Sequence, residues 1–520
     1  MQRGCPLSTF RFDLNMSSTY LTLPRDSNQA RGLARYALDF LAGKFGPPGA
    51  AALARTEQFH TDSVACAVSA LAEGANAPCL LREEALSYPC DARYGAVCFG
   101  SDLFVQPEKA VVANCSAVRE LDSNGTNFGY NPRTGAARGE FGHNDFYPVV
   151  LAAAGQAGWN GERTLAAMLC LDEIRGRLAE VFGLKDYKVD HVLHGAIASA
   201  AVYGAILGAT EAQIESAIGL VVAHHVPFRA IRHGEQLSDS KGASAAISSE
   251  AAVVAMRRAM RGFIGPADIF RNPQAVFCLF EKPPRPGESP FDLELTTSGD
   301  DFAVLGMHFK LGLYEHQSAG AVWGLIELLE RFPGALEDAA AITGIKIRIY
   351  EPAYSIIGDP HKRNPTTRQS ADHSMVYIIA TTLRKALERK TTDPKRLMLA
   401  PADYDEAALF DPLTRSLMDK IVFEHGGAEF DRKYPDGIPT TIDLEHAKLG
   451  RLESGFVMYP EGHARASHGR LADLLAHKFQ SLAGMGVDDV TALEQRLTNL
   501  KEKSAEEIGR LYAFPLRVGR

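Results

Sequence analysis

The sequence predicts a mainly α fold, in which a large all-helical domain carries a smaller α+β lid domain inserted before the C-terminal helical segment. Three observations support this prediction. Segments rich in Ala and Leu with helical spacing fill much of the first half. A stretch rich in Pro and Gly, "EKPPRPGESPFD" at 281–292, then interrupts the pattern. Beyond it, apolar and polar residues alternate as they do in strands.

The predicted helices of the first half are separated by stop and start signals. Gly208 follows one apolar run, as expected at the C-terminus of a helix. Thr210 followed by Gln213 is a capping box that opens the next helix. The predicted helices cover residues 29–44, 147–158, 162–182, 195–208, 212–225 and 243–261.

After the break, the chain alternates between strand and helix patterns. Ile345, Ile347 and Ile349 alternate with polar residues and predict a strand within 342–353. Residues 440–449 and 455–460 are further strand candidates. Residues 487–512 are again helical in character, with an apolar stripe formed by Val490, Leu493, Leu497 and Leu500. We therefore predict a helical domain at 1–276, the lid at 277–463, and a return to the helical domain at 464–520.

The composition is that of a globular protein and argues against several functional classes. The 520 residues are 46% hydrophobic and 23% charged, with a formal net charge of −8 and a pI near 6.1. A general nucleic-acid-binding protein would usually be basic. The longest near-apolar run, 195–209, is too short and too rich in Ala and Gly for a membrane span. The N-terminal residues lack the apolar core of a secretory signal. We therefore expect a cytoplasmic protein that binds neither nucleic acid nor membrane.

The eight cysteines indicate neither a disulfide framework nor a metal cluster. None of them forms a Cys-x-x-Cys pair. A chain of this length can bury a sufficient core without disulfides. We therefore expect reduced thiols and no metal ion.

Titratable side chains precede runs of small apolar residues in four separate segments. His143 lies in "FGHNDFYPVVLAAA", His191 in "DHVLHGAIASAAVYG", Lys241 in "RAIRHGEQLSDSKGASAA" and His316 in "MHFKLGLYEHQSAGAVWG". This layout places them near helix ends, from which several helices can direct them into one cleft. Imidazoles and ammoniums gathered without cysteine or carboxylate metal ligands are typical of acid–base chemistry on an anionic substrate.

Three ordered motifs carry a family resemblance. They are the "RAIRHGEQLSDSKGASAA" segment (229–246), "NPTTRQSADHSMVYIIAT" (364–381) and "YPEGHARA" (459–466). With them, the chain from about residue 30 to 480 resembles the 2-methylcitrate dehydratase/cis-aconitate decarboxylase family, called MmgE/PrpD. The resemblance implies an active site in the cleft between helical domain and lid, no metal or organic cofactor, and a homodimer.

The resemblance also implies which residues form the site. In "LDSNGT", Asp122 and Thr126 match the family's Asp-rich loop, whereas Gly125 stands where many members carry a second Asp. The family histidine resembles His143, followed here by Asn144 rather than proline, after the insertion-like stretch "NFGYNPRTGAARGE". The remaining matches are Asp145, His191, Arg232, His233, Lys241, Lys310 and His316, the last two with a shorter spacing than in known dehydratases.

These residue types suit the dehydration of a hydroxy-tricarboxylate, most simply 2-methylcitrate. The reaction needs a base, an acid and positive charge to hold three carboxylates. We expect His143 and His191 to be the acid–base pair, with His316 contributed by the lid and Asp122 orienting a histidine or the substrate hydroxyl. The expected substrate-binding set is Lys241, Lys310, Arg232, His233, Thr126 and Asp145. A cis-aconitate decarboxylase, an epimerase or a non-catalytic paralogue remains open, because the same pocket would serve each.

Several of these residues also have a structural interpretation. His191 could be a helix cap or a core residue, and Lys241 a solvated surface charge. We interpret Asp372 and His373 as residues that order the lid or a subunit contact, with a role in the cleft as the alternative. Residues interpreted as belonging to a hinge or domain junction are Tyr459, His463 and Arg465.

Overall fold

The computed structural model describes residues 19–232 and 237–519. Within this part of the chain the mainly α fold class is confirmed, because helices dominate and the strands form small sheets. His233 lies outside the described residues, so its predicted role in substrate binding stays a prediction. The predicted domain limits stay predictions as well.

Helices fill the first half, and six of them lie at nearly the predicted positions, whereas α2, α3 and α4 were not predicted. Their bounds are α1 Gln29–Leu41, α2 Ala50–Ala72, α3 Asn76–Leu86, α4 Pro107–Arg119, α5 Tyr147–Ala157, α6 Gly161–Val181, α7 Val192–Ile206, α8 Glu211–His224, α9 Ser240–Met260 and α10 Val276–Phe280. Gly208 has a φ of 77°, which L-residues rarely adopt. Thr210 and Gln213 form the predicted capping box at the start of α8. The stop and start signals therefore act as predicted.

The centre of the helical region is α7, every residue of which is buried. It packs against α1, α5, α6, α8 and α9, and its Gly, Ala and Ser side chains let these neighbours approach closely. Gly195 shows how tight this packing is, because a Cβ there would lie 1.9 Å from Cζ of Phe146. His191 is the residue immediately before this helix, so the most buried helix of the protein fixes its position.

The later helices alternate with the strands of the sheet region. They are α11 Ala319–Arg331, α12 Ala353–Ile356, α13 Arg368–Ala371, α14 Met375–Arg389, α15 Pro394–Leu397, α16 Glu406–Leu409, α17 Pro412–Asp419, α18 Ala428–Asp431, α19 Leu471–Ala483, α20 Val490–Leu497 and α21 Ala505–Gly509. The strands of the whole chain are β1 Tyr20–Leu23, β2 Ala96–Val97, β3 Phe104–Val105, β4 Tyr130–Asn131, β5 Ala136–Ala137, β6 Leu293–Thr296, β7 Ile342–Ile349, β8 Ile421–His425, β9 Thr440–His446 and β10 Gly450–Glu453.

The main sheet has the order β10-β9-β7-β8, and we call residues 342–453 the sheet region. Strand β7 pairs parallel with β8 and antiparallel with β9. Ile345, Ile347 and Ile349 are buried as their alternation predicts, and α11 packs against β9. The sheet is thus covered by helix on its buried side.

Two predictions about the later part of the chain need correction. The predicted strand at 455–460 is wrong, because Gly455 has a φ of 75° and breaks the extended run. Only Val457 forms a bridge there, to Thr440, while the strand that lies beside β9 at the edge of the sheet is β10. The apolar stripe of 487–512 is divided, because α20 ends at Leu497 and Asn499 adopts a φ of 55°.

No single helix among the described residues is both long and apolar enough to cross a bilayer. The helices Ala50–Ala72 and Asn76–Leu86, which meet at a sharp bend, have sufficient length and apolar content only when the two are taken together.

We predict that Gly195→Ala lowers the thermal unfolding midpoint. The added methyl group would overlap the Phe146 ring, and overpacking of this kind costs about 1–3 kcal/mol. Differential scanning calorimetry measures the shift. Gly306→Ala is the matched control, since a Cβ there meets nothing within 4 Å. Equal midpoints for both variants would contradict the packing described for α7.

Candidate active site

The loop after α4 is the centre of the candidate site. Asp122 adopts a φ of 50°, a conformation that Asp tolerates better than most residues. Its N–H donates to the carbonyl of Arg119 at 3.0 Å. Thr126 then exchanges two backbone hydrogen bonds with His308, at 2.9 and 2.6 Å. The loop is thereby fixed to the segment that carries Lys310.

The carboxylate of Asp122 is fully buried among cationic groups. It lies 2.5 Å from the Arg119 guanidinium, 3.6 Å from Nζ of Lys241 and in direct contact with Nζ of Lys310. Burial by itself raises the pKa of this carboxyl, but the charges of Arg119, Lys310 and Lys241 outweigh burial and hold the pKa well below its usual value. Asp122 is therefore an anion that holds three cations in place.

Lys241 is 1% exposed, so the alternative that it is a solvated surface charge is wrong. It is the second residue of α9, and its ammonium donates to Asp372 at 2.7 Å. Asp372 also accepts from Arg368, at 3.3 Å. The sequence motif that contains Asp372 and Arg368 therefore meets the α9 segment inside one ionic network.

His143 and His191 face each other with ring centroids 5.1 Å apart. Nε2 of His143 lies 3.4 Å from the Arg119 guanidinium, whereas both ring nitrogens of His191 lack a hydrogen-bond partner in the described part of the chain. Burial is the main reason that the pKa of both imidazoles lies well below the usual value; Arg119 lowers both pKa values further, while Asp190 partly opposes the shift at His191. Both rings are therefore neutral near pH 7, as a proton acceptor must be.

Asp145 and the two positions that depart from the family pattern, Asn144 and Gly125, have contacts that stabilise the surrounding loops. Asp145 accepts from Asn124 and lies 3.8 Å from Nε of Arg119, so it supports the guanidinium rather than pointing away from the cluster. Asn144 donates to Oγ of Ser63 at 3.2 Å and holds the His143 loop on α2. A Cβ at Gly125 would lie 2.4 Å from the Phe59 ring, so no aspartate fits there.

Arg232 forms an ion pair with a carboxylate of the protein, that of Asp190. Its guanidinium donates to both carboxylate oxygens of Asp190, and Asp190 lies 3.3 Å from Nδ1 of His191. Burial is the largest single influence and raises the pKa of Asp190, but the charge and hydrogen bond of Arg232, together with the other neighbouring cations, outweigh burial and lower it. Arg232 thus reaches the histidine pair through Asp190.

His316 and Thr126 lie beside the cluster without joining its ion pairs. Both nitrogens of His316 lack a hydrogen-bond partner among the described residues, and its ring stacks on Phe128 and His308 with centroids 5.4 Å away in each case. The hydroxyl of Thr126 donates to the Asn127 carbonyl at 3.3 Å. His316 is close enough for the charges of Lys310 and Asp122 to influence its pKa.

Several residues that sequence reasoning missed or interpreted differently belong to the same cluster. Arg119 precedes Asp122 by three residues, about one helical turn, and this spacing of opposite charges is visible in the sequence. His373 lies 3.3 Å from Asp122, and with Asp372 it contacts the cluster directly. Burial, and then Asp122, raise the pKa of Glu315 to about 7. No sequence pattern pointed to Glu315, because its surroundings come from distant segments.

The cluster includes one donor set of the kind that binds metals. One ligand atom each from Asp122, Asp372 and His373 lie within 4.8 Å of one another. However, Lys241 and Lys310 already neutralise these carboxylates. A divalent cation would have to displace both ammoniums, so the donor set fits an anion-binding network better than a metal centre.

Comparison with known proteins finds one family along most of the chain. The model of the MmgE/PrpD N-terminal domain matches residues 31–288, and that of the MmgE/PrpD C-terminal domain matches residues 315–503. A protein of Escherichia coli (strain K12) named 2-methylcitrate dehydratase is 28% identical over 318 residues, which cover 60% of this chain and 62% of that protein. The chain thus aligns with less than two thirds of that relative's length.

Two further relatives show the same level of similarity. A 2-methylcitrate dehydratase of Salmonella typhi is 26% identical over 388 residues, covering 71% of this chain and 74% of that protein. The alkylcitrate dehydratase phiI of a fungal species (strain ATCC 74256) is 25% identical over 358 residues, covering 67% of this chain and 66% of that protein.

We predict that His191→Gln weakens the acid sensitivity of folding. The unfolded chain takes up a proton at His191 as the pH falls below about 6.5, whereas the folded chain does not, since burial lowers the pKa there. The unfolding free energy of the native protein therefore decreases as the pH is lowered, by about 1.4 kcal/mol per pH unit for each such group. Thermal midpoints between pH 7.5 and 5 test this.

The exposed His361, replaced by Gln, is the matched control for this experiment. The midpoint of the His191→Gln variant should fall less steeply with decreasing pH than those of the native protein and the control. Parallel curves for all three proteins would show that His191 is not held neutral by burial.

Proposed function

The chain belongs to the MmgE/PrpD family, and on that premise we propose that it is a cofactor-independent hydro-lyase that dehydrates a small hydroxy-tricarboxylate. The first candidate substrate is 2-methylcitrate, with 2-methyl-cis-aconitate as the product. One observation carries the proposal: two neutral imidazoles lie 5.1 Å apart beside a buried group of cations.

The two histidines suit the two proton transfers of a dehydration. One neutral imidazole would take the proton from the carbon next to a carboxylate, and the histidine pair would then give this same proton to the departing hydroxide, which leaves as water. Arg119, which lies against His143, would favour the state in which only one of the two rings is charged. We propose His143 and His191 for these roles, with Asp122 fixing the cations around them and His316 closing the site.

Lys241 and Lys310 would bind the substrate carboxylates. In the structure their ammoniums contact Asp372 and Asp122, so an arriving carboxylate would share or replace these contacts. Positive charge beside the carboxylate next to the acidic carbon would also stabilise the enolate that forms there, and in a buried site of low polarity this stabilisation is strong. We assign Thr126, Asp145, Arg232 and His233 to supporting contacts around the substrate.

We further propose a homodimer in the cytoplasm. The support for a dimer is the family resemblance, together with exposed apolar side chains on the adjacent helices α3 and α9. These side chains are Leu80 and Ile247, which are 55% and 53% exposed. A second copy of the chain that covered this face would remove them from water.

We predict that the purified protein converts 2-methylcitrate without added metal or cofactor. Proton NMR of separate incubations with 2-methylcitrate, citrate and cis-aconitate measures the product. A methyl-aconitate signal from 2-methylcitrate is the expected result, because the cluster offers both acid and base. Itaconate formed from cis-aconitate would instead identify a decarboxylase, and no change in any tube would contradict the proposal.

The site assignment is tested in the same assay with His143→Gln and His191→Gln. Each variant should lose turnover while its circular dichroism spectrum stays that of the native protein. His361→Gln is the matched control, because His361 is exposed and its imidazole pairs with Asp359 rather than with a group of the cluster. Unchanged turnover in both site variants would show that the reaction occurs elsewhere.

We predict that Lys241 contributes to substrate binding separately from its contribution to folding. Lys241→Met alone leaves Asp372 without its closest cation, which should cost about 3–5 kcal/mol of stability. The double variant Lys241→Met/Asp372→Asn removes both charges and should regain most of that stability. Its KM should nevertheless rise roughly tenfold or more, since a charged hydrogen bond contributes about 1.5–3 kcal/mol.

The comparison for this prediction is Lys448→Met, which removes an exposed lysine paired with Asp338. Calorimetry gives the stability and steady-state kinetics gives KM. If the stable double variant kept the native KM, Lys241 would have a structural role only.

A further inference from the structure

The insertion between the two matched motifs forms a hairpin, and we call residues 127–141 the inserted hairpin. Strands β4 and β5 pair within it. On one side it is held by the helical region. Nδ2 of Asn131 donates to Glu180 at 3.0 Å, and the carboxylate of Glu140 accepts from the N–H of Lys185 at 2.8 Å.

On its other side the inserted hairpin contacts the sheet region. The hydroxyl of Tyr434, which lies between β8 and β9, donates to the carbonyl of Gly139 at 3.0 Å. Nζ of Lys185 donates to the same carbonyl. The Arg465 guanidinium lies 4.6 Å from the centre of the Tyr130 ring and is also paired with Asp436. One short segment therefore joins the helical region to the sheet region beside the candidate site.

The ring of Phe128 connects this hairpin to His316. It stacks on the His316 imidazole, with centroids 5.4 Å apart and an angle of 29° between the planes. Phe141 and Tyr434 approach it edge-on, at 5.3 and 5.7 Å. Phe128 is 2% exposed, so its own orientation is fixed by packing.

His316 depends on these rings because no hydrogen bond orients it. Neither of its nitrogens has a partner among the described residues, and an imidazole is usually oriented by a bond to one nitrogen. Here the ring packs instead against Phe128 and His308, both at 5.4 Å, and these two rings contact each other at 5.3 Å. Stacked rings restrict rotation even though each pair contributes only about 0.5–1.5 kcal/mol beyond burial.

We propose that Phe128 is a positioning residue, which holds the imidazole of His316 toward the candidate site while the inserted hairpin joins the helical region to the sheet region. The proposal rests on the function proposed above only for the catalytic importance of His316. The geometry of the stack stands independently of any substrate.

Loss of the Phe128 ring would also change the water around His316. Phe128 and His308 line a cavity of about 230 Å³, so a smaller side chain at 128 would let water approach His316 from that cavity. The charged and titratable groups that face His316 are Lys310, Asp122, His308 and His463. Burial lowers its pKa before any of these charges act, so hydration would raise the pKa toward its usual value.

The test is Phe128→Leu, with two readouts. Deuterium exchange at the C2 hydrogen of individual histidines, followed by mass spectrometry across pH, gives the pKa and exposure of His316 without any substrate. We expect faster exchange and a higher pKa in the variant. Steady-state kinetics should show kcat falling about 10–100-fold with KM little changed, since small misplacements of a reacting group have costs of this size.

Phe302→Leu is the matched control. Phe302 is a buried residue that lines the same cavity, but its ring pairs with Phe40 rather than with a histidine. A double-mutant cycle with His316→Gln completes the design, because Phe128→Leu should have no further effect on kcat once His316 is absent. If Phe128→Leu does not fold, Phe128→Met, with a flexible apolar side chain of similar size, replaces it.

The two readouts separate failure of the positioning role from failure of the proposed function. Altered His316 exchange in a protein that turns over none of the tested acids would support the positioning role and contradict the function. Unchanged exchange in an active enzyme would overturn the positioning role and leave the function intact. An equal loss of kcat in the presence and absence of His316 would also overturn it.

Discussion

The structure depends on one buried anion, the carboxylate of Asp122. It contacts Arg119 from α4 and Lys310 from the segment after β6, and it lies within 4 Å of Lys241 on α9. Removal of this carboxylate would leave three cations buried with fewer partners, and uncompensated buried charge is among the costliest defects in a protein. The helix end, the α9 segment and the chain around Lys310 therefore take their relative positions from a single group.

The same network sets the chemistry of the histidines. His143 and His191 are kept neutral by burial and by the neighbouring guanidinium, and neutral imidazoles are able to accept protons. In a site shielded from water, fixed charges act more strongly than they would in solution. The ionic cluster that holds the structure together is thus also the environment that would stabilise an anionic intermediate.

The positions that the family resemblance marks as departures, Gly125, Asn144 and the inserted hairpin, lie around the network rather than among its ion pairs. The ring of Phe59 fills the space that a side chain at Gly125 would need, and Asn144 attaches the His143 loop to α2 through Ser63. The insertion places Phe128 against His316. Changes at the periphery of a constant centre are a physical route to altered specificity with similar chemistry.

The sequence by itself determined the mainly α fold class, six helices of the first half and the strands β7 and β9, and it named many of the residues that the structure brings together. Periodicity and capping are local, so they located α8 and the strand of Ile345, Ile347 and Ile349 correctly. The predicted strand at 455–460 failed because a single positive φ at Gly455 broke the alternation. Only the tertiary structure decided that Lys241 is buried against Asp372, that Arg232 is taken by Asp190, and that Glu315 has a pKa of about 7. Those properties arise from segments far apart in sequence, whose proximity no local pattern contains.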